Sequence, residues 1–162
     1  VILVDTGAGI ANHVLEFVLA SPEVLVVTTP EPTSLTDSYS LLKSLYRNPK
    51  FNREYTKISV LSNRVTSAAE GRGVYDKLNT VVGQFLEGEI TYAGMIPQDS
   101  ALEKAIRMQK PVSLQAPLSK SARAFEVVAA ELLQGESSDA YRSFGLSRLF
   151  SGFWKQKNEG VE

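Results

Sequence analysis

The sequence predicts an α/β fold, a parallel sheet with flanking helices. Three observations carry this expectation. Several short apolar runs lack the period-2 alternation of a half-exposed strand, which is the habit of strands buried on both faces. Segments with helical spacing separate these runs. Strand, helix, strand in succession demands crossover connections, and these are right-handed and set the strands parallel.

Four runs are expected as strands: Val1 to Val4, Glu23 to Thr28, Lys57 to Leu61 and Ile90 to Ile96. Between them, helical spacing covers Ile10 to Leu19, Ser34 to Tyr46 and Val74 to Leu86. In the last of these, Val74, Leu78, Val81, Val82 and Phe85 share one face. A short helix near Ala101 to Met108 follows, then a stretch broken by Pro111 and Pro117, then a helix from Ser119 to Leu133 with Ser119 as its N-cap. Residues 1–134 therefore form the core unit. The small polar stretch around Gly135 to Asp139 places a linker at 135–141, and 142–162 is an amphipathic helix with a polar tail. The chain opens without Met inside an apolar β-branched run, the pattern expected of the C-terminal portion of a longer protein.

Composition narrows the function classes. The 162 residues suit one ordinary domain on the rough prior of ~100–200 residues, and 43% hydrophobic content implies a sizeable core. With 17 basic against 18 acidic residues the formal charge is −1, so no global field favours nucleic acid, and no direct nucleic-acid binding is expected. Cysteine is absent, which removes disulfides and thiol nucleophiles, and the single histidine, His13, leaves little for a His-based metal site. His13 reads as structural; Ser38, Ser40 and Ser44 have no histidine near them in sequence, so a hydrolase triad is a poor reading. Glu70-Gly71-Arg72-Gly73 reads as a solvated loop, with contact to a protein partner as its alternative use. Tyr92 and Met95 read as core or sheet residues.

In parallel α/β sheets ligands bind beyond the carboxyl ends of the strands. The first such junction is Asp5-Thr6-Gly7-Ala8-Gly9. A carboxylate there can hold a metal ion directly or through water, and two glycines let backbone N–H groups approach a phosphate. The other reading of the same five residues is a helix N-cap followed by a tight turn.

VILVDTGAGI, followed by SPEVLVVTTPEPTSLTDSYSLLK, resembles the second half of the MinD/ParA-type P-loop ATPases with a deviant Walker A motif. The resemblance is strongest to the branch that regulates flagellar number and placement, called FlhG, FleN or YlxH. FLEGEITYAGMIPQDSALEKAIRMQKPVSLQAPLSKSARAF continues it, so it covers the chain from Val1 to about Leu133. By this resemblance Asp5 matches the Walker B aspartate, linked to Mg²⁺ through water, and Gly9 the switch II glycine that senses the γ-phosphate. Asn63 matches the adenine-contacting asparagine; an amide offers a donor and an acceptor together, which suits a purine edge. A turn residue after a strand is its plainer reading. Pro97, Gln98 and Asp99 match the loop flanking the base, and Glu31 a position near the dimer interface that reaches the partner's nucleotide.

The resemblance also implies ATP and Mg²⁺ in the parent protein, a nucleotide-sandwich homodimer, and hydrolysis as a timer. The implied partners are a flagellar SRP-type GTPase, basal-body switch proteins or a transcription regulator. The implied location is the bacterial cytoplasm, reversibly peripheral on the inner face of the cytoplasmic membrane. In this family the P-loop and switch I lie upstream of the position of Val1, so the 162-residue chain alone is expected to bind ATP negligibly and not to hydrolyse it. Its first strand is expected to leave an open sheet edge that recruits other chains. A septum-placement or DNA-partitioning ATPase, a related amidoligase-type synthase and a non-enzymatic interaction module remain the alternatives.

The last segment completes the reading. Leu146, Leu149, Phe150 and Phe153 follow i, i+3, i+4, i+7, Trp154 borders their arc, and Arg148 and Lys155 lie opposite. This is the pattern of a helix lying reversibly on an anionic membrane surface, and the relatives carry a similar one. A helix docked on the domain is the alternative.

Overall fold

A computed structural model describes residues 2–7 and 9–133. The linker at 135–141 and the amphipathic segment with Leu146, Arg148, Leu149, Phe150, Phe153, Trp154 and Lys155 lie outside the described residues. In chain order the elements are α1 (Asn12–Ala20), β1 (Glu23–Thr28), α2 (Pro32–Tyr46), β2 (Lys57–Val65), α3 (Ala68–Leu86), β3 (Thr91–Pro97), α4 (Ser100–Arg107), α5 (Val112–Gln115) and α6 (Lys120–Leu133). The strands form a parallel sheet in the order β1-β2-β3, with Val26 beside Val60 and Asn63 beside Ile96.

Alternating side chains divide the strands between two cores. On one face Val26, Ile58 and Val60 pack with Val14 and Val18 of α1, Leu42 and Leu45 of α2, and Tyr75, Leu78 and Val82 of α3. On the other face Leu61 and Ile96 pack with Val128 of α6, flanked by Leu25 and Leu102. The helices on the second face do not cover β1 fully, and Val27 is 52% exposed.

Two expectations from the sequence need correction. The run Val1 to Val4 forms no strand in residues 2–4: Ile2, Leu3 and Val4 stand exposed and unpaired with the sheet. An apolar run is a strand only when another strand completes its ladder, and among the described residues β1, β2 and β3 offer it no register. The second correction concerns Glu70-Gly71-Arg72-Gly73, which belongs to the first turns of α3 rather than to a loop. Ser67 caps that helix by accepting from the Glu70 N–H at 3.1 Å, while the Glu70 carboxylate reaches back to the Thr66 N–H at 2.6 Å and hydroxyl at 2.8 Å. This is a capping box displaced by one residue, and its Ser-x-x-Glu signature is present in the sequence. Those hydrogen bonds from Thr66 lower the Glu70 pKa below its ordinary value.

Packing around Gly71 is tight. A Cβ there would stand 3.1 Å from the Tyr92 hydroxyl and 3.2 Å from Met95 Cβ, and the Gly71 carbonyl accepts from the buried Ser62 hydroxyl at 2.8 Å. Helix α3 is thereby drawn against β2 and β3, and Arg72 lies over the Tyr75 and Tyr92 rings at 4.9 and 5.5 Å. Ser119 caps α6 as expected, accepting from the Ala122 N–H at 3.2 Å. Helix α5 has four residues between Pro111 and Pro117, too few to show a period in sequence.

Candidate functional site

The carboxyl ends of the three strands bring together Thr28 to Pro32, Asn63 to Ser67 and Pro97 to Ser100. The β1 end turns into α2 through short polar contacts. Ser34 Oγ sits 3.0 Å from both the Thr28 hydroxyl and the Thr29 N–H, and the Thr29 hydroxyl donates to the Glu31 carboxylate. Glu31 is the N-cap residue of α2 by position, although its side chain caps no amide. Its carboxylate instead points toward Arg64, with 4.0 Å between Arg64 Nη1 and Glu31 Oε1.

The β2 end is irregular. Arg64 takes φ +56° where the β2/β3 register slips between Asn63 and Val65. The Arg64 N–H donates to Asn63 Oδ1 at 2.9 Å. Among the described residues the Asn63 amide nitrogen has no further partner, so the side chain keeps its donor for a ligand. Beside it the Gln98 N–H donates to the Val65 carbonyl at 2.8 Å, fastening the loop after β3 to the bulge of β2. The Gln98 side chain is exposed and Pro97 half-buried.

Asp99 is the most engaged of the expected site residues. Its Oδ1 accepts from the Ala101 N–H at 2.9 Å, capping α4, and its Oδ2 accepts from the Ser121 N–H at 3.0 Å and hydroxyl at 2.9 Å, tying down the start of α6. Burial acts to raise the pKa of this carboxyl; hydrogen bonds from Ser121 and Ala101 and the nearby Lys120 charge outweigh it and hold it below the usual aspartate value. Ser121 itself is fully buried. Sequence reasoning missed Ser121 and Arg64: one lies 22 residues from its partner, and the other is marked only by a backbone angle.

Asp5 and Gly9 lie in the exposed stretch before α1. Gly9 has φ +108°, a conformation that favours glycine, and Asp5 makes no hydrogen bond or ion pair among the described residues. Asn63, Pro97, Gln98, Asp99 and Glu31 thus lie at the strand ends, and among the described residues no hydrogen bond or ion pair ties Asp5 or Gly9 to them. Two residues with side-chain amides, Asn63 and Gln98, lie near the carboxyl ends of adjacent strands. Among the described residues no group of three or more His, Asp or Glu side chains converges.

No family model matches the chain. It is 42% identical over 132 residues to the antiactivator FleN of Pseudomonas aeruginosa, covering 82% of this chain and 46% of that protein. It is 32% identical over 133 residues to the flagellum site-determining protein YlxH of Helicobacter pylori, covering 82% and 43%. Among solved structures, the cell division ATPase MinD of Pyrococcus furiosus superposes with a TM-score of 0.60 at 23% identity, over 80% of this chain and 50% of that one. The septum site-determining protein MinD of Pyrococcus horikoshii, solved with Mg-ADP, gives 0.58 at 21% identity over 83% and 51%. A chain of the MinC:MinD cell division protein complex of Aquifex aeolicus gives 0.54 at 24% identity over 80% and 49%.

A three-stranded parallel sheet flanked by helices is therefore the architecture of part of the MinD fold. The chain is similar to part of the MinD/ParA-type ATPases, with the antiactivator FleN and the flagellum site-determining protein YlxH among its relatives, and it spans about half the length of the curated relatives it matches.

Proposed function

We propose that this chain is the C-terminal part of an ATP-dependent, dimerising spatial switch that regulates flagellar number or placement. The observation that carries the proposal is the 42% identity to FleN over 132 residues. Curated septum site-determining MinD relatives match at 31% and 28%, below the 42% of FleN, which favours the flagellar reading over septum placement.

On this reading Asn63 and the Pro97-Gln98 loop take the adenine, and Glu31 lies near the second subunit's nucleotide. Asp5 holds Mg²⁺ through water and Gly9 senses the γ-phosphate once a P-loop, supplied by the rest of the protein, seats the triphosphate beside them. Bound Mg²⁺ would offset charge on the transferring phosphoryl group; the chain's own part is to place the base and to carry the Asp5 loop. The segment with Leu146, Leu149, Phe150 and Phe153 then attaches the ATP-bound dimer to an anionic membrane, two weak helices acting together through avidity. The flagellar GTPase, basal-body and transcription-regulator partners follow from the same reading.

Vesicle co-sedimentation of the whole protein, with and without ATP, tests it. Binding to anionic vesicles should require ATP, Phe150→Glu should abolish it while ATP binding persists, and Asp5→Ala should cut hydrolysis by at least about 100-fold, as expected when phosphoryl transfer loses a metal-positioning group. ATP-independent vesicle binding, or unchanged turnover in Asp5→Ala, would overturn the proposal.

A further inference from the structure

Asp99 matches the base-flanking loop of the relatives, which suggests a ligand contact, yet its oxygens are committed elsewhere. Three protein donors converge on its two carboxylate oxygens at 2.9–3.0 Å: one from α4 and two from Ser121 of α6. The residue before it is pinned from the other side, because the Gln98 N–H is bound to the Val65 carbonyl at 2.8 Å. Gln98 is thus held between two anchors, one on β2 and one on α6, while its own side chain remains exposed. Val65 follows Asn63 by two residues and pairs with Pro97, so the same anchors set the backbone at Gln98 relative to that at Asn63.

We propose that Asp99 is a positioning residue for the base site: it does not touch the nucleotide but registers the Pro97-Gln98 loop against α6, so that recognition of the base depends on the Asp99–Ser121 junction. This inference rests on the nucleotide reading above and deepens it. Removing the carboxylate frees one of the two anchors, and the exposed Gln98 amide then samples orientations that no longer complement a purine edge. Phosphate binding, which uses other parts of the protein, is left alone. The three donors also rank the substitutions. Ser121→Ala removes only the hydroxyl donor and retains the N–H bond. Asp99→Asn keeps one acceptor oxygen but turns an amide donor toward a donor. Asp99→Ala removes every acceptor.

The test is titration of the whole protein with ATP, GTP and inorganic tripolyphosphate. Asp99→Ala should weaken ATP binding about tenfold, the loss expected for ~1.4 kcal/mol. It should reduce the preference for ATP over GTP and leave tripolyphosphate affinity within about twofold, since the phosphate site keeps all its contacts. Asp99→Asn should recover part of the loss and Ser121→Ala most of it. A junction with a purely structural role would lower ATP and tripolyphosphate affinity together or leave both unchanged, and either result overturns the inference. If Asp99→Ala fails to fold, the milder Ser121→Ala decides: a fall in ATP-over-GTP preference supports the proposal, and an unaltered preference overturns it. Wild-type protein that binds tripolyphosphate but not ATP would overturn the base site itself, a failure of the underlying reading.

Discussion

The stretch from Ile2 to Gly7 and the strand β2 have similar apolar openings, Ile-Leu-Val against Ile-Ser-Val-Leu, but opposite fates. Ile58, Val60 and Leu61 are buried between helices; all three pair with β1, and Val60 and Leu61 pair with β3 as well. Leu3 is 83% exposed and pairs with nothing in the sheet. Apolar β-branched composition therefore does not make a strand; a lateral partner does, because an unpaired backbone loses the ladder and its side chains lose a surface to pack against. The difference divides the candidate site in the same way. Asn63 sits on a strand paired on both sides and Gln98 in a loop fastened to that strand by its N–H, whereas Asp5 sits where no strand pairs with it.

Truncation gives the sharpest contrast between the two regions. Leu42 of α2 is wholly buried against β1 and α3 residues, so Leu42→Ala should destabilise the 162-residue chain by about 2–5 kcal/mol, the range for a core leucine left as a cavity. Leu3→Ala should fall within about 0.5 kcal/mol, the usual range for surface changes. Urea denaturation followed by circular dichroism reads both. A Leu3→Ala loss comparable to that of Leu42→Ala would mean that Val1 to Val4 is packed in solution, and the comparison would break.

Much of the architecture was legible because periodicity reports burial directly. Glu23 to Thr28 was bounded correctly by its uninterrupted apolar run, and α6 by its N-cap serine. Helix α3 was expected to begin at Val74 because only its apolar face was counted; its first turn is built by polar residues, Ser67 and Glu70, whose spacing carried the information. For the site, the residue types at the strand ends were legible as a set. Their connections were not: the Asp99–Ser121 bonds join residues 22 apart, and only the fold brings α6 back to the end of β3. The first expected strand failed for the same reason in reverse, since Val1 to Val4 advertises burial that needs a partner elsewhere.

The second comparison sets Asp99 against the rest of the surface and uses pH. Its folded pKa is depressed: burial acts to raise it, but the Ser121 and Ala101 hydrogen bonds and the Lys120 charge prevail. A depressed carboxyl contributes stability that is present above its unfolded pKa and is lost as pH falls through the folded value. Asp99→Asn cannot titrate. It should cost about 1–2 kcal/mol at pH 7, the scale of a lost helix cap, and the gap from wild type should close as the pH is lowered below the ordinary aspartate pKa of about 3.9. Glu70, also depressed, is common to both proteins and cancels in the difference. A gap that stays constant from pH 7 to pH 3 would show that the carboxylate is not the group holding α4 to α6.

The smallest effect belongs to Arg64, where two weak terms oppose each other. Its guanidinium faces Glu31 at 4.0 Å, with the two side chains 60% and 58% exposed, and an ion pair in that setting is worth about 0–1 kcal/mol. Against it stands the backbone: Arg64 holds φ +56°, where glycine is free of the steric cost that a Cβ imposes. Relieving such a conformation gains about 1 kcal/mol, less the greater entropy that glycine brings to the unfolded chain. Arg64→Gly should therefore change stability by no more than about 0.5 kcal/mol in either direction, as near-neutral surface changes do. Arg64→Ala, which keeps the Cβ and loses the ion pair, should be the less stable of the two. Thermal melts at low and high salt separate the terms: the part due to Glu31 should fade at high salt as the charges are screened, and the backbone part should not. An Arg64→Gly protein clearly less stable than Arg64→Ala would show that the arginine side chain does not strain the β2 bulge, and that the left-handed turn is held at no cost by the Asn63 and Gln98 hydrogen bonds around it.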